Sequence, residues 1–331
     1  MLTPKQMSNT RIMAAVPSAA MAIALLALAP TAGAIVINDG AGSSKAQSLG
    51  ADFDRVVDLQ VNGFSACTGS LISSQHVLTA EHCTAGTNTA DLGIDVHTDN
   101  DGSEEFNRSV SAKAEMNPTN DLLDGTDIAV LTLDGAVSGL SQLALANSIQ
   151  QGSTVTAVGF GNNGIETTGS QFTADGKRWA AENTMDAFGA AETGAASKPG
   201  SANILNTDFD DGTSANNKLG SDTPLANEGS TARGDSGGPL INDGLVTGVL
   251  SGGSTDPAQP DFAGDVSWWT GIFAQPQKDF ILDNTNGQAT FKSVNVPAPS
   301  SLALLGVGLF GVGLFGIARG VASRGRTAAS V

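Results

Sequence analysis

All three histidines of the chain, His76, His82 and His97, precede the segment Gly234-Asp235-Ser236-Gly237-Gly238-Pro239, and this order restricts the fold. The segment combines a serine with unusual backbone freedom. Glycine has no Cβ, so Gly234, Gly237 and Gly238 can take positive φ and let another group lie against the main chain. Ser236 is then presented at a tight turn, where the amides of Gly234 and Ser236 can converge on a developing oxyanion. Taken alone, the hexamer also reads as a Gly-rich surface turn. A serine hydroxyl becomes a useful nucleophile only when a nearby base removes its proton. The α/β-hydrolase order of Ser, acid, His is excluded, because no histidine follows Ser236. A subtilisin order would need its Asp before the His, and no surrounding motif supports it. The order left is His, Asp, Ser.

His82 ends the run Leu78-Thr79-Ala80-Glu81-His82-Cys83. The chain has two cysteines, so in an oxidising compartment Cys67 and Cys83 are expected to form one bridge. Closing that short loop is worth about 3 kcal/mol in the chain-entropy account. The base also needs an acid to fix its tautomer. Asp127 opens the strand-like run Asp127-Ile128-Ala129-Val130-Leu131-Thr132-Leu133, while Asp121 and Asp124 lie in a polar approach and are weaker candidates.

Four pieces in this order, Cys67-Thr68-Gly69-Ser70-Leu71-Ile72, Thr79 to Cys83, Asp127-Ile128-Ala129-Val130 and Gly234 to Pro239, resemble a trypsin/chymotrypsin-type serine endopeptidase over roughly residues 35 to 285. The resemblance implies His82 as general base and later acid, Asp127 as its orienting carboxylate and Ser236 as nucleophile. It also implies Gly234 and Ser236 as oxyanion-hole amides and Ser230, Ser251 and Gly253 as the specificity pocket. Glu81 departs from the Ala usual in the family. Polypeptides are the implied substrates. An uncharged pocket floor at Ser230 favours apolar side chains, with Asp261, Asp265 and Arg233 as neighbours able to alter that preference.

The two ends read differently from the body. Lys5 and Arg11 flank the start of an apolar run from Ile12 to Ala29, and Ala32-Gly33-Ala34 is a small-x-small cleavage pattern. Residues 1–34 are thus expected to be a secretory signal peptide, with a retained anchor as the alternative. At the other end, Val296-Pro297-Ala298-Pro299 is followed by Leu302 to Ala318 without a charge, then by Arg319, Arg324 and Arg326. Residues 297–331 resemble the PEP-CTERM sorting tails of Gram-negative bacteria, with Ala298 in place of the usual Glu. They are expected to contact the membrane through 302–318 and to meet a sorting transpeptidase, or to act as a simple anchor. The expected location is the periplasm, the cell surface or the medium. Cleavage after Ala34 by signal peptidase would expose Ile35-Val36, and the resemblance implies that such a freed amine pairs with Asp235. The alternative is an edge strand at Ile35-Val36-Ile37.

These ends hold no acidic residue and five of the 16 basic ones, which leaves 11 bases against 33 acids, a formal −22, on residues 35–296. That charge argues against nucleic acid as a partner. The body is built from short apolar runs separated by Gly, Asn, Asp and Ser, among them Arg55 to Val61, Ser65 to Ile72, Ser153 to Phe160 and Leu245 to Leu250, so it is expected to be all-β. The resemblance implies two six-stranded antiparallel β-barrels, at about 35–145 and 150–285, with the active site in the cleft between them. A short helix is expected around Pro276 to Asn284. Gly161 to Glu228 is long and polar, with short strands expected at Lys177 to Asn183 and Ile204 to Phe209. Asp208, Asp210 and Asp211 read as a solvated acidic loop, because EF-hand spacing is missing. No metal or other cofactor is expected. Trp268 and Trp269 are expected to face opposite sides of a strand, one inward and one toward the cleft rim. A non-catalytic surface-binding protein on the same fold is the competing reading.

Overall fold

The computed structural model describes residues 35–116, 121–172, 174–189, 201–254 and 262–294. The expected signal segment 1–34 and tail 297–331 lie outside them, as does Asp261. Among the described residues no helix is long and apolar enough to cross a membrane.

The elements are β1 (Val36–Ile37), α1 (Ser43–Ala51), β2 (Val56–Val61), β3 (Phe64–Leu71), β4 (His76–Thr79), β5 (Leu92–Val96), β6 (Phe106–Glu115), β7 (Ala129–Leu133) and β8 (Leu145–Ala146). They continue as β9 (Thr154–Gly159), β10 (Asn163–Ile165), β11 (Gly169–Phe172), β12 (Trp179–Thr184), β13 (Ala187–Phe188), β14 (Ile204–Asp208) and β15 (Gly229–Ser230). The chain then forms β16 (Pro239–Asn242), β17 (Leu245–Ser254), β18 (Val266–Gly271), α2 (Gln275–Asn284) and β19 (Phe291–Lys292).

The first half closes into a barrel in the order β2-β3-β4-β7-β6-β5. Alternation drives it: in β5 the side chains of Leu92, Ile94 and Val96 are buried while Gly93 and Asp95 are less so. Leu59 pairs across to Cys67 on one side and Ile94 on the other, placing aliphatic groups in register around the interior. Val57, Leu71, Leu78 and Leu131 join them, all fully buried. Each such side chain contributes about 1.5–3 kcal/mol of transfer free energy.

The second half is a sheet running β12-β9-β16-β17-β18-β14-β13. A closed second barrel was expected from the resemblance, but the described strands form a half-barrel, since β12 and β14 share no ladder. The seam is spanned instead by polar groups. Asn183 on β12 donates its side-chain amide to the carbonyl of Asp208 at 2.7 Å, and the Asp186 amide donates to the carbonyl of Asn206 at 2.9 Å.

Two further expectations are corrected. The segment Ile35-Val36-Ile37 is no edge strand: Val36 pairs in parallel with Gly164 on β10 and antiparallel with Ser230 on β15, and all three side chains are fully buried. Trp268 and Trp269 are both buried, because β18 lies between β17 and β14 with both faces covered, so neither forms an exposed rim. The helix α1 was not anticipated. It packs through Ala46 and Gly50, and a Cβ on Gly50 would collide with the carbonyl of Arg178. Arg178 returns its Nε–H to the carbonyl of Gly50 at 3.2 Å. The helix α2 begins with Pro276 in its first turn and buries Ile281, as expected.

Candidate active site

The pairing of β4 with β7 ends at Thr79 opposite Ala129. Antiparallel geometry therefore brings the residues just after Thr79 and just before Ala129 to one edge of the barrel. His82 and Asp127 meet there. The ring Nδ1 lies 2.8 Å from Asp127 Oδ2, and the backbone amide of His82 donates to Oδ1 at 2.9 Å. One buried carboxylate thus fixes both the main chain and the ring of His82. With Nδ1–H donating to Asp127, Nε2 carries the free lone pair. The Cys67–Cys83 disulfide, with Cα atoms 6.3 Å apart, clamps the segment beside it. His82 Nε2 is 3.8 Å from Cys83 Sγ. Cys67, His82 and Cys83 cluster as metal ligands do, but the disulfide removes both thiolates.

The other histidines serve the core. His76 Nδ1 meets the Ser73 hydroxyl at 2.6 Å, and His97 Nδ1 meets the carbonyl of Ser103 at 2.9 Å. Burial pushes both imidazoles below their usual pKa. Asp121 and Asp124 accept from Leu123 and Thr126 in their own loop, at 3.2 and 2.8 Å.

Ser236 is half-buried in the turn between β15 and β16. Gly234 has φ 98° and Gly237 φ 79°, whereas Gly238 does not need a positive φ. Gly238 is required by space: a Cβ there would sit 2.6 Å from the carbonyl of Val158. The amides of Asp235, Gly237 and Gly238 donate to the carbonyls of Ala232, Leu250 and Asp235. Those of Gly234 and Ser236 have no acceptor among the described residues, leaving two neighbouring donors for a ligand oxygen.

This turn is bolted to the first barrel by Thr68, a residue that sequence reasoning gave no role. Its amide donates to the carbonyl of Ser236 at 2.8 Å. Its hydroxyl accepts from the Phe160 amide at 3.0 Å and donates to the carbonyl of Gly234 at 3.1 Å. The hydroxyl of Thr79 in turn donates to the Thr68 carbonyl at 2.8 Å. The turn therefore lies against β3 and β4, the strands next to Cys67 and His82. Among the described residues no hydrogen bond links Ser236 Oγ to the His82 ring.

Asp235 points the other way, into the protein. Its Oδ2 accepts the amides of Ile35 at 2.9 Å and Ala232 at 2.8 Å, and its Oδ1 that of Gly161 at 2.9 Å. A side chain on Gly159 would strike this carboxylate, which explains the glycine there. Ser230 is buried on β15, 3.5 Å from the Ser267 hydroxyl, and Thr231 meets the same hydroxyl at 2.7 Å. Ser251 pairs with Thr270 at 2.9 Å, Gly253 lies close to the carbonyl of Val266, and Arg233 is exposed. The Asp265 carboxylate accepts the Phe262 amide at 3.1 Å.

No curated protein matches the chain. Among solved structures it is similar to neuropsin, a serine protease expressed in the limbic system of mouse brain, with a TM-score of 0.51 and 19% identity, covering 71% of this chain and 96% of that one. The sequence model of the family described as trypsin matches residues 44–269, and the chain belongs to the trypsin family of serine proteases.

Proposed function

We propose that the protein is an exported serine endopeptidase that cleaves polypeptides through an acyl-enzyme on Ser236. The observation that carries this reading is the double grip of Asp127 on His82, at 2.8 and 2.9 Å, beside a serine turn with two unpaired amides. His82 Nε2 takes the Ser236 proton as Oγ attacks the scissile carbonyl and then gives it to the leaving amine. The amides of Gly234 and Ser236 stabilise the oxyanion. Water then hydrolyses the ester with His82 again as base. The Ser236 to His82 hydrogen bond forms as substrate docks, as is common where the free enzyme leaves it long.

The N-terminus fits the same reading. Ile35 holds φ 27°, a left-handed value that is costly for a β-branched residue inside a chain. Cleavage after Ala34 removes that constraint and converts the buried amide at 2.9 Å from Asp235 into an ammonium. Signal-peptidase cleavage then doubles as activation. The pocket around Ser230, Ser251 and Gly253 has hydroxyls and no carboxylate at Ser230, Thr231 and Ser267, which supports apolar or small side chains at the cleaved position. On this reading residues 297–331 serve as a sorting tail met by a transpeptidase, or as a simple membrane anchor.

The experiment is fluorophosphonate labelling together with casein cleavage, comparing the protein with Ser236→Ala and His82→Ala. Loss of both signals in both variants is expected. A folded parent with a mature Ile35 that neither labels nor cleaves would favour a non-catalytic binding protein.

A further inference from the structure

Among the described residues two groups of three side chains bring metal-ligating atoms within 4.8 Å of one another. One is the exposed trio Asp99, Asp101 and Glu105, whose carboxylates are satisfied by water. The other is Cys67, His82 and Cys83. Asp208 and Asp210, expected in a solvated loop, are buried instead and belong to neither group.

The second group offers two sulfurs and one imidazole nitrogen, a donor set that suits zinc whenever the sulfurs are thiolates. The disulfide withholds them. What surrounds the three atoms is already arranged as a zinc site would need. Asp127 accepts from His82 Nδ1 at 2.8 Å and from the His82 amide at 2.9 Å, so the ring is held with Nε2 as its lone-pair donor. A carboxylate behind the ring is how zinc-binding histidines are commonly oriented. Nε2 lies 3.8 Å from Cys83 Sγ. On one tetrahedral zinc, with bonds of about 2.3 Å to sulfur and 2.0 Å to nitrogen, those two atoms stand about 3.5 Å apart. Two thiolates on the same ion stand about 3.8 Å apart. Cutting the S–S bond and turning one cysteine about its Cα–Cβ bond opens that gap. The main chain can stay where it is, because Cys67 is held on β3 opposite Leu59 and the residue before Cys83 is held by Asp127. Both cysteines are 7% exposed whereas the His82 side chain is 24% exposed, so water completes the tetrahedron from the open side.

We propose that the dithiol form of the protein binds one zinc ion through Cys67 Sγ, Cys83 Sγ and His82 Nε2, and that this form is the silent state of a redox switch. Zinc enters by displacing the two thiol protons. The nitrogen it occupies is the one that would take the Ser236 proton, so the base is lost while the ion is bound. A disulfide oxidant reverses this: Sγ joins Sγ, two electrons and two solvent protons convert the oxidant to two thiols, and the ion leaves. A dithiol reductant together with zinc restores the silent state. The loss of cleavage rests on the peptidase reading above; the zinc site does not.

The test uses the full chain, oxidised or treated with a phosphine reductant, with cobalt as a spectroscopic substitute for zinc and a Ser236→Ala background that prevents self-cleavage. The reduced protein should take up one cobalt per chain with a thiolate-to-cobalt charge-transfer band that zinc abolishes, and the oxidised protein should show no band. His82→Ala and Cys83→Ser should each lose the tight uptake, and should one fail to fold, the other decides. Asp127→Asn should keep the band and weaken the uptake about 10- to 100-fold. In the parent with Ser236 intact, zinc should stop casein cleavage by the reduced form and spare the oxidised form, with EDTA restoring the rate. Equal uptake by both redox forms, uptake unchanged in both ligand variants, or a bridge that no reductant opens in the folded protein would each overturn the proposal. A cobalt band with cleavage untouched by zinc would overturn the switch. Because the band is read without turnover, an oxidised parent that cleaves nothing would sink the peptidase reading while the band still decides the site.

Discussion

In the first barrel six strands hydrogen-bond around a full circuit and the inward positions are aliphatic, whereas the sheet carrying Ser236 stops short of a circuit and lines its seam with Asn183, Asp186 and Asp208. The first barrel is completed by its own side chains and one disulfide. The second half is completed by material brought from elsewhere: β1 inserted between β10 and β15, and the Ile35 amide seated on Asp235. A scaffold finished by apolar packing forms once the chain collapses, while one finished by buried polar contacts forms only when each partner is present. The difference separates a part that fixes His82 against Asp127 from a part whose serine turn is tied through Asp235 to the Ile35 amide.

The largest effect expected to sharpen this contrast is on rate alone. Asp127→Asn should reduce kcat/KM by about 10⁴, with little change in the far-ultraviolet spectrum or melting profile, because the aliphatic barrel does not depend on that carboxylate's charge. A large drop in Tm would show that the first barrel is not self-sufficient. Next comes Asp235→Asn, which on the proposed cleavage after Ala34 leaves the Ile35 ammonium buried without its counter-charge. It should cost about 3–5 kcal/mol in urea denaturation and lose activity, with hydrogen exchange rising in β1, β10 and β15 before β2 to β7. Uniform exchange across both halves would break the comparison. Replacing both Cys67 and Cys83 by Ser should cost about 3 kcal/mol, with the added exchange confined to the first barrel around β3 and β4.

The smallest effect concerns Asp58, the polar exception inside the first barrel. Burial pushes its carboxyl up to about 7, despite hydrogen bonds from Ser65 and Gln60, with Glu104 adding repulsion. Its folded pKa exceeds its unfolded one, so the protonated form is favoured by folding and stability falls as pH rises from about 4 to about 7. Asp58→Asn should escape that loss. Comparing urea midpoints at pH 5.5 and pH 8 should show the variant gaining on the parent by about 2 kcal/mol, at about 1.4 kcal/mol for each tenfold change in proton affinity. Parallel midpoints would mean the group stays ionised throughout.

Much of this was legible in the chain because it depends on local pattern. The strands at Val56–Val61, Trp179–Thr184 and Ile204–Asp208 follow short apolar runs, and the meeting of His82 with Asp127 follows from the two runs that became β4 and β7. What escaped depends on tertiary contact. The helix α1 has no side-chain cap and no acidic residue in its first turn, and it is held by Gly50 against Arg178. The burial of Asp208 and Asp210 is invisible in a polar stretch, since it arises only when β14 pairs with β18 and the following loop folds back over it. Alternation failed at Trp268 and Trp269 for the related reason that a central strand has no wet face. Thr68 sits among the residues of a recognised motif, yet its role comes from the opposite half of the molecule.

Thr68 also bears on how such an enzyme wears out. Parting the two halves by the width of a water molecule would strip its hydroxyl from Phe160 and Gly234 and its amide from Ser236 in one movement. Any loosening between the halves would therefore also disturb the placement of the Ser236 turn. Activity on storage should then decay with the same half-life as the folded population, so that ageing preparations contain fully competent and fully dead molecules with few of intermediate quality.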